Sequence, residues 1–196
     1  MTNRKTLRLG TRRSALAWIQ SSQVAASLRA AHPGLEVELV GIDTRGDRVL
    51  DKPLSQIEGK EFFTAELDHA LLERRVDFSV HSLKDLSLER PPQFTLAAVP
   101  RRANPRDLAL FAPDVPARLA AGETLRIGTS SPRRAELLPA FLSKALPHGA
   151  RLELVNLRGN VDSRLRRLHE PRGSERHLDG VVLAMAGLSR LYRDTA

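Results

Sequence analysis

Short apolar runs alternate along the chain with stretches in which apolar residues recur every three to four positions. Leu7–Gly10 reads as a first strand. Ser14 stands where a helix N-cap belongs. Ala17, Ser21, Val24 and Leu28 then share a helical face, widened by Trp18 and Ala25, as far as Ala31. His32-Pro33-Gly34 stops that helix, and Leu35–Ile42 alternates as a strand does. The polar stretch Thr44–Gly59 reads as a long loop. Phe63, Leu67, Ala70 and Leu71 mark a second helix, Phe78 and Val80 a third strand, and Phe94–Val99 a fourth.

Pro100–Pro105 is basic and turn-rich, and a domain crossing is expected there, giving domains 1–102 and 103–196. The pattern then restarts. Strands are expected at Leu108–Phe111, Leu125–Gly128, Leu152–Asn156 and Val181–Ala184. Helices are expected at Pro132–Leu146, where Leu137, Leu138, Phe141 and Leu142 supply the buried face, and at Val161–Leu168. Alternating β and α elements predict an α/β protein of two lobes, with mainly parallel sheets and an interdomain cleft. Ligands of such folds sit at the carboxyl ends of the strands, where four polar loops of this chain also fall.

Composition narrows the partner. The 196 residues hold 31 Lys+Arg against 23 Asp+Glu, a formal charge of +8, which calls for an anionic partner. Most of the basic residues are arginine, whose planar fork suits carboxylate or phosphate. Aromatic residues are 4% and the arginines are dispersed rather than striped, which argues against nucleic acid. The chain has no cysteine, hence no disulfide, thiolate metal site or thiol nucleophile, and no metal is expected. No apolar run suggests a signal peptide or membrane span, so a cytoplasmic monomer without membrane contact is expected.

Of the four loops, Gly128-Thr129-Ser130-Ser131-Pro132-Arg133-Arg134 carries the strongest signal. Ser131 and Pro132 suit an N-cap and first helical position, while Arg133 and Arg134 fall in a first turn whose dipole disfavours cations. An anion bound by free N–H groups, hydroxyls and guanidinium groups would remove that penalty; arginines pointing into water are the plainer alternative. Arg12, between the first strand and its helix, poses the same question more weakly. Leu157-Arg158-Gly159-Asn160 repeats the arrangement, with Gly159 allowing close backbone approach and Arg164 one helical turn beyond Asn160. In His81-Ser82-Leu83-Lys84-Asp85, a lysine beside an aspartate could serve acid–base chemistry; from spacing alone, a surface ion pair explains it better. In the long loop, Lys60 could hold an anion, and Phe63 could cover an aromatic ligand or join the core.

The ordered set resembles the hydroxymethylbilane synthase (porphobilinogen deaminase) family over nearly the whole chain. It comprises Thr11-Arg12-Arg13-Ser14, Thr44-Arg45-Gly46-Asp47, Gly59-Lys60-Glu61-Phe62-Phe63, Val80-His81-Ser82-Leu83-Lys84-Asp85, Asn104-Pro105-Arg106-Asp107, Gly128 to Arg134, Leu157 to Val161, and Leu183-Ala184-Met185-Ala186-Gly187-Leu188. That family joins four porphobilinogen molecules head to tail, releasing ammonia each time, on a dipyrromethane cofactor. The resemblance implies two lobes of the type II periplasmic-binding-protein kind and a pyrrole chain bearing many carboxylates as partner. It implies Asp85 as the catalytic carboxylate that stabilises the cationic azafulvene-like intermediate. Arg12, Ser14, Ser82, Lys84, Thr129, Ser130, Ser131, Arg133, Arg134, Arg158, Gly159, Asn160 and Arg164 would bind cofactor or substrate, with Lys60 and Phe63 on a mobile loop.

Departures accompany the likeness. Gln56, Glu61 and Ser87 replace residues usual at their positions. The family's third, α+β domain and the cysteine carrying the cofactor have no counterpart in these 196 residues, so a truncated synthase is expected, with a natural two-domain form that binds pyrroles without anchoring the cofactor as its close variant. A non-catalytic binder of polyanions or pyrroles in the cytoplasm is the alternative.

Overall fold

The computed structural model describes residues 6–48, 64–87 and 91–192; of residues 47–48 it describes the backbone only. Lys60, Phe63, Gln56 and Glu61 lie outside the described residues. The chain divides into two compact units. The described part of the first is 6–48, 64–87, 91–101 and 190–192, and that of the second is 102–189.

In the first unit, β1 (Thr6–Arg12) lies between β2 (Glu36–Ile42) and β3 (Phe78–Ser79), all parallel. A central strand covered on both faces needs apolar or small residues at successive positions. Leu9, Gly10 and Thr11 are all buried. Leu9, Val37 and Leu39 pack against Ala25 and Leu28 of α1 (Ala15–Ala31). On the other face, Val40 and Ile42 pack with Leu67 and Ala70 of α3 (Ala65–Leu72). Gly10 sits under that second layer, where an added Cβ would come 3.1 Å from Val76. The buried Ser21 hydroxyl donates to Thr11 Oγ1 at 2.7 Å and ties α1 to β1.

Three expectations change here. The strand expected at Phe94–Val99 does not form: 94–100 has no regular structure, and Leu96 and Val99 are exposed. β-propensity alone does not make a strand without a neighbouring ladder and a face to bury. The expected loop from Thr44 instead begins with a buried Thr44 and a single helical turn, α2 (Arg45–Arg48). Finally, β1 runs two residues further than expected, so Arg12 ends the strand rather than following it.

The second unit orders its strands β4 (Asp107–Phe111), β7 (Gly180–Ala184), β5 (Thr124–Thr129) and β6 (Arg151–Asn156). β7, β5 and β6 are parallel and β4 runs against β7. Leu125, Ile127 and Val181–Leu183 form the sheet's buried centre. Leu138 and Leu142 of α5 (Pro132–Ala145) and Val115 of α4 (Val115–Ala120) belong to the same core, with Leu165 of α6 (Val161–Arg166) and Leu188 of α7 (Met185–Tyr192) packed against it. Leu137 and Phe141 of α5 are exposed, contrary to expectation, because the sheet meets only the stripe one position further round. Pro139 does not break α5, which runs through it. A methyl group on Gly128 would stand 2.5 Å from Leu178 and 2.7 Å from Leu157, so only glycine lets these side chains close over β5.

At the amino edge of this sheet, the fully buried Asp179 carboxylate accepts from the Arg126 N–H at 2.7 Å, from Arg118 and from His177 Nε2 at 3.2 Å. Among the described residues, no helix is long and apolar enough to cross a membrane.

Candidate functional site

Because β1 and β3 are parallel, Arg12 at the end of one and the loop after the other share the carboxyl edge of the first sheet. The loop is shaped by its own backbone: the Asp85 N–H donates to Ser82 O at 2.9 Å, closing a 3-10 turn over Leu83–Asp85. Gln20 clamps it from α1, accepting from the Ser82 hydroxyl at 3.1 Å and donating to His81 O at 3.4 Å. Gln20 was not expected here; in the sequence it shows only as a polar residue beside the buried stripe of α1. Asp85 is half-buried and Lys84 exposed. His81 Nε2 meets the Ser79 hydroxyl at 2.8 Å. Burial lowers the His81 pKa, and the neighbouring Arg12 charge lowers it further, both favouring the neutral ring. Ser14 takes the N-cap position of α1 with extended backbone, but its side chain makes no capping bond.

The second unit gathers more charge. Thr129 ends β5 and is buried, with Oγ1 accepting from the Ser131 N–H at 3.2 Å. Ser131 caps α5 by accepting from the Arg134 N–H at 3.5 Å, while Ser130 beside it is half-buried and Arg133 exposed. The loop after β6 is pinned to β5 by the Leu157 N–H donating to Thr129 O at 3.2 Å. Asn160 caps α6 through its side chain, accepting from the Ser163 N–H at 2.8 Å. Gly159 turns there with φ +110, and an added Cβ would lie 2.3 Å from Ser163 Oγ. The turn therefore requires glycine. It presents Gly159 O to the Arg164 Nε–H at 2.8 Å.

Arg134, Arg158 and Arg164 thus come together at one strand edge. The Arg164 guanidinium is pushed down from its ordinary pKa first by burial, then by the charges of Arg134 and Arg158. Arginine in such a place is held charged against desolvation and repulsion, the condition that a bound anion relieves. One expectation is amended. Arg134 has partners within the protein: its Nε and Nη2 pair with both oxygens of Asp107 at 2.9 and 2.6 Å, and Nη1 donates to Val182 O at 3.2 Å. Asp107 carries no local signal in the sequence that would foretell this pairing.

A family model described as porphobilinogen deaminase, dipyromethane cofactor binding domain, matches residues 7–196. A porphobilinogen deaminase of Roseiflexus sp. (strain RS-1) is 47% identical over 194 residues, covering 98% of this chain and 59% of the relative. Those of Syntrophotalea carbinolica and Xanthomonas euvesicatoria pv. vesicatoria are 43% and 46% identical, covering 94% and 95% of this chain and 55% and 57% of the relatives. The chain therefore spans a little over half the length of these relatives.

Proposed function

The chain belongs to the porphobilinogen deaminase family, and from that premise we propose that it serves hydroxymethylbilane synthesis, the head-to-tail condensation of four porphobilinogen molecules with loss of ammonia. The observation that carries this reading is the grouping of Arg134, Arg158 and a desolvated Arg164 at the carboxyl edge of the second sheet. Each porphobilinogen brings an acetate and a propionate, so the growing chain is a polycarboxylate that needs several guanidinium groups at fixed separations.

The same residues suit a dipyrromethane. Arg133, Arg134, Arg158 and Arg164 would hold its carboxylates, with Thr129, Ser130, Ser131 and the first N–H groups of α5 as further donors, and Gly159 and Asn160 shaping the turn. When bound, that group supplies the primer to which pyrroles are joined. These 196 residues contain no cysteine, so the contacts they would offer it are charge and hydrogen bonds rather than a thioether.

In the first unit, Asp85 would steady the positive charge left on the pyrrole when ammonia departs, with Arg12, Ser14, Ser82 and Lys84 holding carboxylates and Lys60 and Phe63 serving from the loop. Asp85→Asn is expected to leave folding intact and to abolish ammonia release in the enzyme of full family length; undiminished release would remove Asp85 from the chemistry. A type II periplasmic-binding-protein kinship of each unit, a boundary near residue 102, a cytoplasmic setting and a monomeric state belong to the same proposal.

The test is calorimetric titration with a dipyrromethane bearing two acetates and two propionates, beside an oligonucleotide of equal charge. Saturable binding of the dipyrromethane alone supports the reading. Preference for the oligonucleotide overturns it.

A further inference from the structure

The motif Asn104-Pro105-Arg106-Asp107 has no part in the function proposed so far, yet its last residue lies at the arginine cluster. β4 is the one strand of the second sheet that runs against its neighbour, and Asp107 at its start pairs in register with Ala184 at the end of β7. The reversal brings the first residue of β4 to the carboxyl edge of β5, β6 and β7, where α5 begins. The Asn104 side chain accepts from the Arg106 N–H at 3.0 Å, and Arg106 O accepts from the Met185 N–H at 2.9 Å, so the turn delivering Asp107 is fixed at both ends.

We propose that Asp107 is a positioning residue for the anion site: it grips the Arg134 guanidinium by its Nε–Nη2 edge and sets the remaining donors toward the ligand. A planar guanidinium carries more N–H groups than its bonds to Asp107 and Val182 O use. The Arg134 side chain is 18% exposed against 45% for Asp107, so the pair sits at the rim with the arginine inward. The Asp107 carboxylate also offsets the charge of Arg134, one of the two guanidinium groups whose charges bear on Arg164. Charge alone and position therefore make opposite predictions. Removing a negative charge beside the cluster would tighten anion binding, whereas releasing Arg134 from its grip would weaken it.

The inference rests on reading this edge as a polycarboxylate site, and the experiment separates the two. Mellitate, a benzene ring bearing six carboxylates, is titrated calorimetrically into the full chain and its variants, with urea unfolding to confirm folding. Asp107→Asn is expected to weaken binding roughly tenfold, the scale of one charge-assisted hydrogen bond. Asp107→Glu should restore most of it. Arg134→Lys, which keeps the charge but not the fork, should match Asp107→Asn and supplies an independent arm if the latter fails to fold. In an Arg134→Ala background, Asp107→Asn should change nothing further. Unchanged or tighter binding by Asp107→Asn, wild-type binding by Arg134→Lys, or additive losses in the double variant would overturn the role of Asp107. Loss with Arg134→Ala but not with Asp107→Asn leaves the anion site standing without it. No binding by the wild type removes both.

Discussion

The two ends of the second sheet use arginine in opposite ways. At the amino edge, Arg118 and the Arg126 backbone meet the buried Asp179 carboxylate, which His177 also contacts. At the carboxyl edge Arg134 is held by the partly exposed Asp107 carboxylate, and Arg164 is disfavoured by burial and by the charges of Arg134 and Arg158. The first end is internally matched and holds the fold. The second leaves Arg164 disfavoured by desolvation and by like charge, a condition that an added anion would relax. An arginine count could not separate them; the difference lies in whether a buried carboxylate faces the cation.

The largest effect should come from breaking the matched end. Asp179→Ala leaves Arg118 and the Arg126 N–H without their shared acceptor and is expected to cost about 3–5 kcal/mol of stability by urea unfolding. A loss of under ~1 kcal/mol, the scale of a surface pair, would erase the distinction between the two ends.

A smaller effect is expected at the first sheet's edge, where His81 is also made costly to charge by burial and by Arg12. Its folded pKa lies below the ordinary 6.5, so the unfolded chain takes up the proton first. The stabilising contribution is full above that value and is lost as pH falls from 6.5 toward the lowered folded pKa. Across that window the wild type should lose more stability than His81→Gln, and parallel pH profiles would show that the burial of His81 carries no such linkage.

Much of the scaffold was legible in the sequence, because alternation at Leu35–Ile42 and helical spacing around Leu138 and Leu142 are strong local signals. The arginine loops were legible too, since Ser131-Pro132 and Gly159-Asn160 are local capping and turn chemistry. What could not be read depended on partners distant in sequence. Phe94–Val99 has strand-forming residues but makes no ladder. Leu137 and Phe141 have helical spacing but lie off the sheet. Asp107 reaches Arg134 across 27 positions, only because β4 is antiparallel. α4 was too short for its period to show, and α7, which follows directly on the strand correctly ended at Ala184, was not expected as a helix.

The central claim is that the carboxyl edge trades stability for anion binding, and Arg164→Met tests it in one protein by two readings. Removing a desolvated cation from among like charges should raise the urea midpoint, while dipyrromethane binding falls about tenfold. A lowered midpoint with unchanged affinity would instead make Arg164 a structural residue and contradict the assignment of this edge as the ligand site.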